Sequence, residues 1–445
     1  MSDFPQGWAG ISFAEATDKI GSGATPKGGH SAYQVSGIPL IRSQNVHFKG
    51  FADAGLVFLS DAQAEKLNGV IVRTNDVLLN ITGASIGRVT VAPERMDGAR
   101  VNQHVMIIRP KSSIEPAFIA GFLSSPPMQQ FIVAENYGVT RQALTKTMIE
   151  EIELPLPPLP EQRRIVAKID SLTGKSRRAR DHLDHIPRLV EKYRHAVLAS
   201  AFSEGERAAW KNGKLEEFIT DALIGLVRGK SEQSDVSGVP YIRMNHYDLN
   251  GHWNDNKLTF VEATPQEIER YELRRGDVLF NTRNSVELVG KVALWQDGRD
   301  RHVYNNNILR LRFNEKVVPR FATLWMMSEP FRAYLQTQKS ATTSVCAIYQ
   351  RSIMAAPFPL PSVAEQKAVV TKIDSAFAWI DRLTADATNA RKLIDHLDQS
   401  VLAKAFTGEL VLQDPADEPA SALLDRIRAE RTGAPKAKRG RKKAA

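Results

Sequence analysis

The apolar positions of this chain fall into two kinds of pattern, and both kinds occur twice. Short runs such as "VLLNITG", "GRVTVA", "VMIIRP" and "ILRLRF" are rich in Val, Ile and Leu and bounded by Gly, Asn and Pro, which predicts strands. "EPAFIAGFLSSPPMQQFIV" predicts helical pieces interrupted at Pro126-Pro127. The second kind is longer. Ile165, Ile169, Leu172, Ser176, Ala179, Leu183, Ile186, Val190, Tyr193 and Val197 alternate steps of four and three, the seam of a coiled coil. Val369, Ile373, Ala376, Ile380, Leu383, Ala387, Ala390, Ile394, Leu397 and Val401 do the same, each 204 positions further on. Ser362 and Glu365 form a capping box at the start of the second helix, and Pro160 with Glu161 suits the first turn of the other. Pro187 lies inside the first helix, where a missing N–H and a clash with the preceding turn predict a kink.

The repeat takes in the whole chain. "SGIPLIR" (Ser36 to Arg42) returns as "SGVPYIR" (Ser237 to Arg243), and "NDVLLN" (Asn75 to Asn80) as "GDVLFN" (Gly276 to Asn281). "VNQHV" returns as "YNNNI", and "VLASAF" as "VLAKAF". Such near-constant spacing means a tandem duplication of one mixed α/β unit followed by one helix. Each seam is the other's natural partner. Run antiparallel with Ile165 opposite Val401, they set Ser176 against Ala390 and Ala179 against Ala387, over roughly 48 Å at about 1.5 Å per residue. A shift of one heptad satisfies the same pattern.

Composition narrows the function. No run of 18 apolar residues is present, and the start "MSDFPQGWAG" has no basic-then-apolar leader, so neither a membrane span nor a secretory signal is expected. A single cysteine, Cys346, excludes internal disulfides and thiolate clusters and fits a reducing cytoplasm. The net charge of +9 points to a polyanionic partner. Part of it sits in "RAERTGAPKAKRGRKKAA", which shows no apolar periodicity and is expected to be disordered. Residues 413–445 are therefore read as a basic tail.

No catalytic set emerges. Gly225 and Gly229 in "GLVRGKS" enclose three residues, where a phosphate-binding loop needs four. "HLDH" (His182 to His185) has no counterpart in the second half and reads as a solvated helix face. What recurs is a polar, basic set in matched loops, of the residue types that contact guanine and adenine edges or phosphates. The first unit supplies Lys27 in "TPKGGH", Arg42, Gln44 and Asn45 in "IRSQNVHF", and Thr82 and Arg88 in "NITGASIGR". It adds Asn102 and Gln103 in "VNQHV" and Arg141 and Gln142 in "GVTRQALT". The second supplies Arg228 and Lys230 in "VRGKSEQ", Arg243 and Asn245 in "IRMNHYDL", and Asn281, Arg283 and Asn284 in "NTRNSVELVGK". It adds Asn305, Asn306 and Asn307 in "YNNNI" and Arg351 in "TTSVCAIYQR". Asn102 and Asn305, at matched positions, are equally suited to capping a turn. The loops differ where the frame does not: "SQN" becomes "MNH", and Arg141-Gln142 becomes Val345-Cys346. If these loops read sequence, the site they read is asymmetric.

With "PLPPLPEQRRIVAKID" and "PLPSVAEQKAVVTKID", "LAKAFTGEL", and "NDVLLNITGASIG" followed by "VNQHVMIIRP", the chain resembles the specificity subunit of a type I restriction–modification system from about Gly7 to Leu410. The resemblance implies an α/β (α+β) fold with pseudo-twofold symmetry. Target-recognition domains at 1–155 and 204–358 would be separated by a long antiparallel two-helix coiled coil, from helical regions 156–203 and 359–412. It implies no catalysis by the chain itself and no cofactor bound directly. S-adenosylmethionine would sit on two modification subunits that methylate adenine, and ATP and Mg on motor-nuclease subunits. Glu161, Gln162, Glu365 and Gln366 open the helical regions such proteins use for docking. An enzyme with an unrecognised nuclease site and a protein-binding scaffold stay open as alternatives.

Overall fold

The computed structural model describes residues 4–26, 33–134, 143–254, 258–297, 301–341 and 345–433, and its first apolar runs build an antiparallel sheet. The strand order is Thr17–Ser22, Val105–Pro110, Val77–Asn80, Val89–Val91. Val77 and Leu79 join Met106 and Ile108 in one core, while Leu78 joins Val105 and Ile107 in another. A strand covered on both faces has no polar side to show, so "VLLN" reads as an unbroken apolar run. Helices Pro116–Ser124 and Pro126–Ala134 follow, separated where the paired prolines predict. A smaller sheet orders Val57–Leu59, Ile38–Ile41 and Arg100–Val101, the last pair parallel. The proline cluster forms strand Glu153–Leu156, antiparallel to Ala9–Ser12, and leads into helix α1, Leu159–Leu183.

The second unit repeats this plan. Its sheet runs Ile219–Ile224, Ile308–Phe313, Val278–Asn281, Val292–Leu294, and Val239–Ile242 pairs in parallel with Val303–Tyr304. Strand Pro357–Leu360 lies antiparallel to Lys211–Lys214. Only here, among the described residues, does a further three-stranded sheet join Arg283–Asn284, Cys346–Ala347 and Ser340–Ala341. Helix α2, Ile186–Ala201, precedes these sheets in the chain, and helix α3, Val363–Ala405, follows them. The compact units divide the helices between them: residues 1–183 with 389–445, and residues 184–388.

Pro187 stops one helix and starts another. α1 ends at Leu183, α2 begins at Ile186, and the proline takes the first turn of α2, where its missing N–H is tolerated. Ser362 and Glu365 cap α3 reciprocally, at 2.9 and 3.3 Å.

The antiparallel pairing is present within each unit, in a different register from the one that sets small residues together. That register puts Arg180 opposite Asp386 and Arg194 opposite Lys372. In the structure Arg180 pairs with Asp395 and Asp398, at 2.6 and 2.8 Å, and Arg194 pairs with Asp381. α3 is thus displaced by roughly one heptad plus the reach of a side chain. An apolar seam repeats every heptad and cannot select among registers; these charges can.

The expected disorder from residue 413 is also corrected. Ala420–Gly433 forms helix α4, with Ala420, Leu423, Leu424 and Ile427 buried in the first unit's core. Those positions follow helical spacing, one face of an amphipathic helix. Asp417 pairs with Arg164 at 2.7 Å, and Arg428 with Glu15 at 3.2 Å. Residues 434–445 lie outside the described residues.

Candidate nucleic-acid interface

Each unit is built round the same buried polar frame. Asp76 accepts from the N–H of Arg73 and pairs with Arg109, both at 2.7 Å; Asp277 accepts from Arg274 and pairs with Arg312, at 2.8 and 2.7 Å. The carboxylate hydrogen bond holds the Arg109 guanidinium above its ordinary pKa. Asn102 accepts from the N–H of His104 and Asn305 from that of Asn307, each at 3.0 Å, so both cap a turn. The third residue of each "SQN"/"MNH" triplet also caps: Arg42 N–H donates to Asn45 Oδ1, and Arg243 N–H to His246 Nδ1, both at 3.0 Å. Asn45 further donates to the carbonyls of Ala52 and Ala54. Asn281, fully buried, donates to the carbonyls of Arg283 and Asn307 and accepts from Asn284. Asn45, Asn102, Asn281 and Asn305 thus all hold the framework, and for Asn102 and Asn305 this is the turn-capping alternative.

The residues left over gather on the loops. Gln44 and Arg42 both donate to the carbonyl of Gly55, at 3.0 and 2.6 Å, and the Arg42 guanidinium lies 5.5 Å from the Tyr33 ring centroid. Thr82 and Gln103 both bond His104, and Arg88 reaches His47 at 3.5 Å. In the second unit Arg243 leans on Gln233 at 3.5 Å and Asn245 is exposed. Asn306 and Asn307 are half-buried. Arg351 lies 5.8 Å from the Tyr349 ring centroid. The Arg283 and Lys230 side chains are exposed and have no partner among the described residues. Arg228 is the most committed of the cations. It makes two 2.8 Å bonds to Glu267, which lowers the carboxyl pKa and raises that of the guanidinium, beside an open cleft of about 640 Å³. Lys27, Arg141 and Gln142 lie outside the described residues.

The docking candidates occupy the junction between domain and helix. Gln162 accepts from the N–H of Glu115 at 2.9 Å and donates to the carbonyl of Pro157 at 3.0 Å. Gln366 accepts from Val318 N–H at 2.7 Å and donates to Lys316 and Pro361 carbonyls at 2.8 and 3.0 Å. Both are wholly buried, so each rivets its helix to the start of a helix in its own domain, Pro116–Ser124 or Pro319–Met327, and offers no surface. Glu161 is buried too and accepts from the Trp8 indole at 3.1 Å; burial pushes its carboxyl above the usual range. Glu365 stays exposed, and its bonds to Ser362 push its carboxyl down.

The type I restriction modification DNA specificity domain model matches residues 17–182. The EcoKI specificity subunit of Escherichia coli K12 is 27% identical over 99% of this chain and 98% of its own length. Over nearly its whole length this chain is similar to the specificity subunits of type I restriction–modification systems. A second specificity subunit, StySPI of Salmonella potsdam, is 27% identical over 99% of both chains. The fold agrees as well. A chain from a solved type I system, studied for its assembly and conformational transition, superposes with a TM-score of 0.72 at 20% identity, covering 92% of this chain and all of that one. The HsdS subunit of Thermoanaerobacter tengcongensis gives 0.59 at 20% identity, covering 92% and 98%.

Among the described residues, no group of three or more metal-ligating side chains converges, and no helix is long and apolar enough to cross a membrane. Buried or half-buried polar residues that are not among the sequence-derived candidates are Asp76, Asn80, Arg109, Lys291 and Arg312. A signal was available for Asp76 and Asn80: Asp and Asn stand at matched places at the edges of otherwise apolar strands, in "NDVLLN" and "GDVLFN".

Proposed function

We propose that this chain reads a split, asymmetric DNA site, one half by each unit, and presents it to a methyltransferase and a motor-nuclease. One observation carries the reading. The two units keep the same sheet order and the same buried Asp–Arg and Asn frame, while the loop residues on that frame, exposed Gln44 against exposed Asn245 and half-buried Thr82 against exposed Arg283, are not alike. A conserved scaffold with divergent surface chemistry is what two different half-sites require. Gln162 and Gln366 fix two matched domain–helix junctions from inside, and the surfaces around those junctions give equivalent places for two copies of one modification subunit. S-adenosylmethionine belongs to those subunits, ATP and Mg to the restriction subunits, and the chain itself performs no chemistry. The paired helices set the gap between half-sites, and the cytoplasm is where the complex acts.

The test is methylome sequencing of a host carrying this chain with its methyltransferase partner, against the same host lacking this chain alone. A split adenine-methylated motif that disappears with the chain supports the reading. Identical methylomes would remove it.

A further inference from the structure

The loop that carries Gln44 in the first unit and Asn245 in the second is gripped from behind, by a different donor in each. In the first unit Asn80, fully buried at the end of its strand, donates through Nδ2 to the carbonyl of Ser43 at 2.8 Å and to Ser85 Oγ at 3.2 Å. The matched carbonyl in the second unit is that of Met244. The matched asparagine, Asn281, does not reach it, because it is turned toward Arg283 and Asn307, where the extra three-stranded sheet begins. Lys291 takes the place instead. It is 6% exposed, and its ammonium donates to the carbonyl of Met244 and, at 2.9 Å, to that of Tyr247, over the Tyr247 ring at 5.3 Å. Arg88, its repeat-matched counterpart, faces His47. A buried ammonium with two carbonyl acceptors is a charge-assisted clamp that closes both ends of residues 244–247.

We infer that Lys291 is the positioning residue for the second half-site, holding the reading loop by its main chain, and that Asn80 does the same work for the first. This rests on the DNA-reading role proposed above. A lysine is long enough to span two carbonyls from the adjoining strand, and the asparagine of the first unit grips one carbonyl and one hydroxyl. The second loop is therefore the one gripped from behind by a charged group, while Asn254 holds its middle through the carbonyls of Asn245 and His246.

The test replaces Lys291→Met in the full chain, supplied with its methyltransferase partner, and reads the methylated motif together with thermal unfolding. The expected result is a folded chain with an unchanged first half-site and a second half-site in which discrimination between cognate and single-base variants falls about tenfold. Lost packing alone would lower stability without loosening one half of the motif. Lys291→Gln, which keeps a neutral N–H donor group but loses the charge, should give a smaller change in the same direction, and it carries the test if the methionine variant does not fold. Asn80→Ala should loosen the first half-site only. An unchanged motif from a folded Lys291→Met chain would overturn the inference, as would equal loosening of both halves. If the unsubstituted chain directs no split motif at all, the underlying reading fails first and this inference with it.

Discussion

The two units of this chain are nearly the same object below the surface and different objects above it. Asp76–Arg109 and Asp277–Arg312 superimpose in role, as do Asn102 and Asn305, or Gln162 and Gln366. Yet Ile107 at the centre of the first sheet corresponds to Arg310 in the second, buried, paired with Asp221 and donating to the carbonyls of Arg270 and Glu272. After duplication, then, the hydrogen bonds that close turns and start helices were kept, while core volume and loop chemistry drifted. A buried polar group lost from its partner costs more than an apolar exchange of similar size, so drift follows the cheaper route.

The largest effect that would break the comparison is a domain exchange. Replacing residues 204–358 with the second recognition domain of another specificity subunit should change one half of the methylated motif completely and leave the other untouched. A change in both halves would show that the units are not independent readers. Next comes the ion-pair frame. Asp76→Ala strands a part-buried arginine and should cost about 3–5 kcal/mol in urea unfolding. Asp277→Ala should cost less, because Arg312 keeps Asp221 at 3.5 Å; equal losses would discard that distinction.

At the junction, Gln162→Ala and Gln366→Ala should each cost about 1–3 kcal/mol by orphaning backbone groups, with Gln366 the costlier since it holds three partners to two. For DNA itself, Arg283→Ala should weaken binding by about 1–3 kcal/mol if its guanidinium makes a bidentate contact to guanine. Unaltered affinity in a titration with the methylated motif's own sequence would take it off the list.

The smallest effect separates the two matched glutamates by pH. Burial raises the Glu161 carboxyl above its unfolded value, so the native state holds the proton more tightly, and Glu161 costs stability as pH rises through its folded pKa. Glu365 is shifted down, so its cap contributes stability above the unfolded carboxylate range and loses it as pH falls through the folded pKa. At neutral pH Glu161→Gln should hold or raise the melting temperature, and Glu365→Gln should lower it. Shifts of the same sign would contradict the assignment.

Much of this was open to reading in the sequence. The duplication, the sheet strands, the capping box at Ser362 and the break near Pro187 all follow from local patterns, because each depends on residues close together in the chain. What escaped depends on distance or on degeneracy. The helix register was hidden because a heptad seam looks the same after seven residues, and Arg180, Arg194, Asp381 and Asp395 stand beside that seam. α4 was hidden because its apolar positions, Ala420 to Ile427, lie just before the charged stretch that set the reading of the tail. The asparagines left two roles open because one side-chain amide serves a base edge and a backbone group equally well, and the fold supplies the backbone partners. Lys291, the last residue of "NTRNSVELVGK", carries no local sign of its role. Its burial comes from elements nearly fifty residues apart.

The grip on residues 43–45 and 244–247 falls mainly on carbonyl oxygens, which every amino acid possesses. Mutations at Gln44 or Asn245 therefore leave the hold intact, and a lineage carrying this gene can try new letters in its recognition word without first rebuilding the page on which they are written.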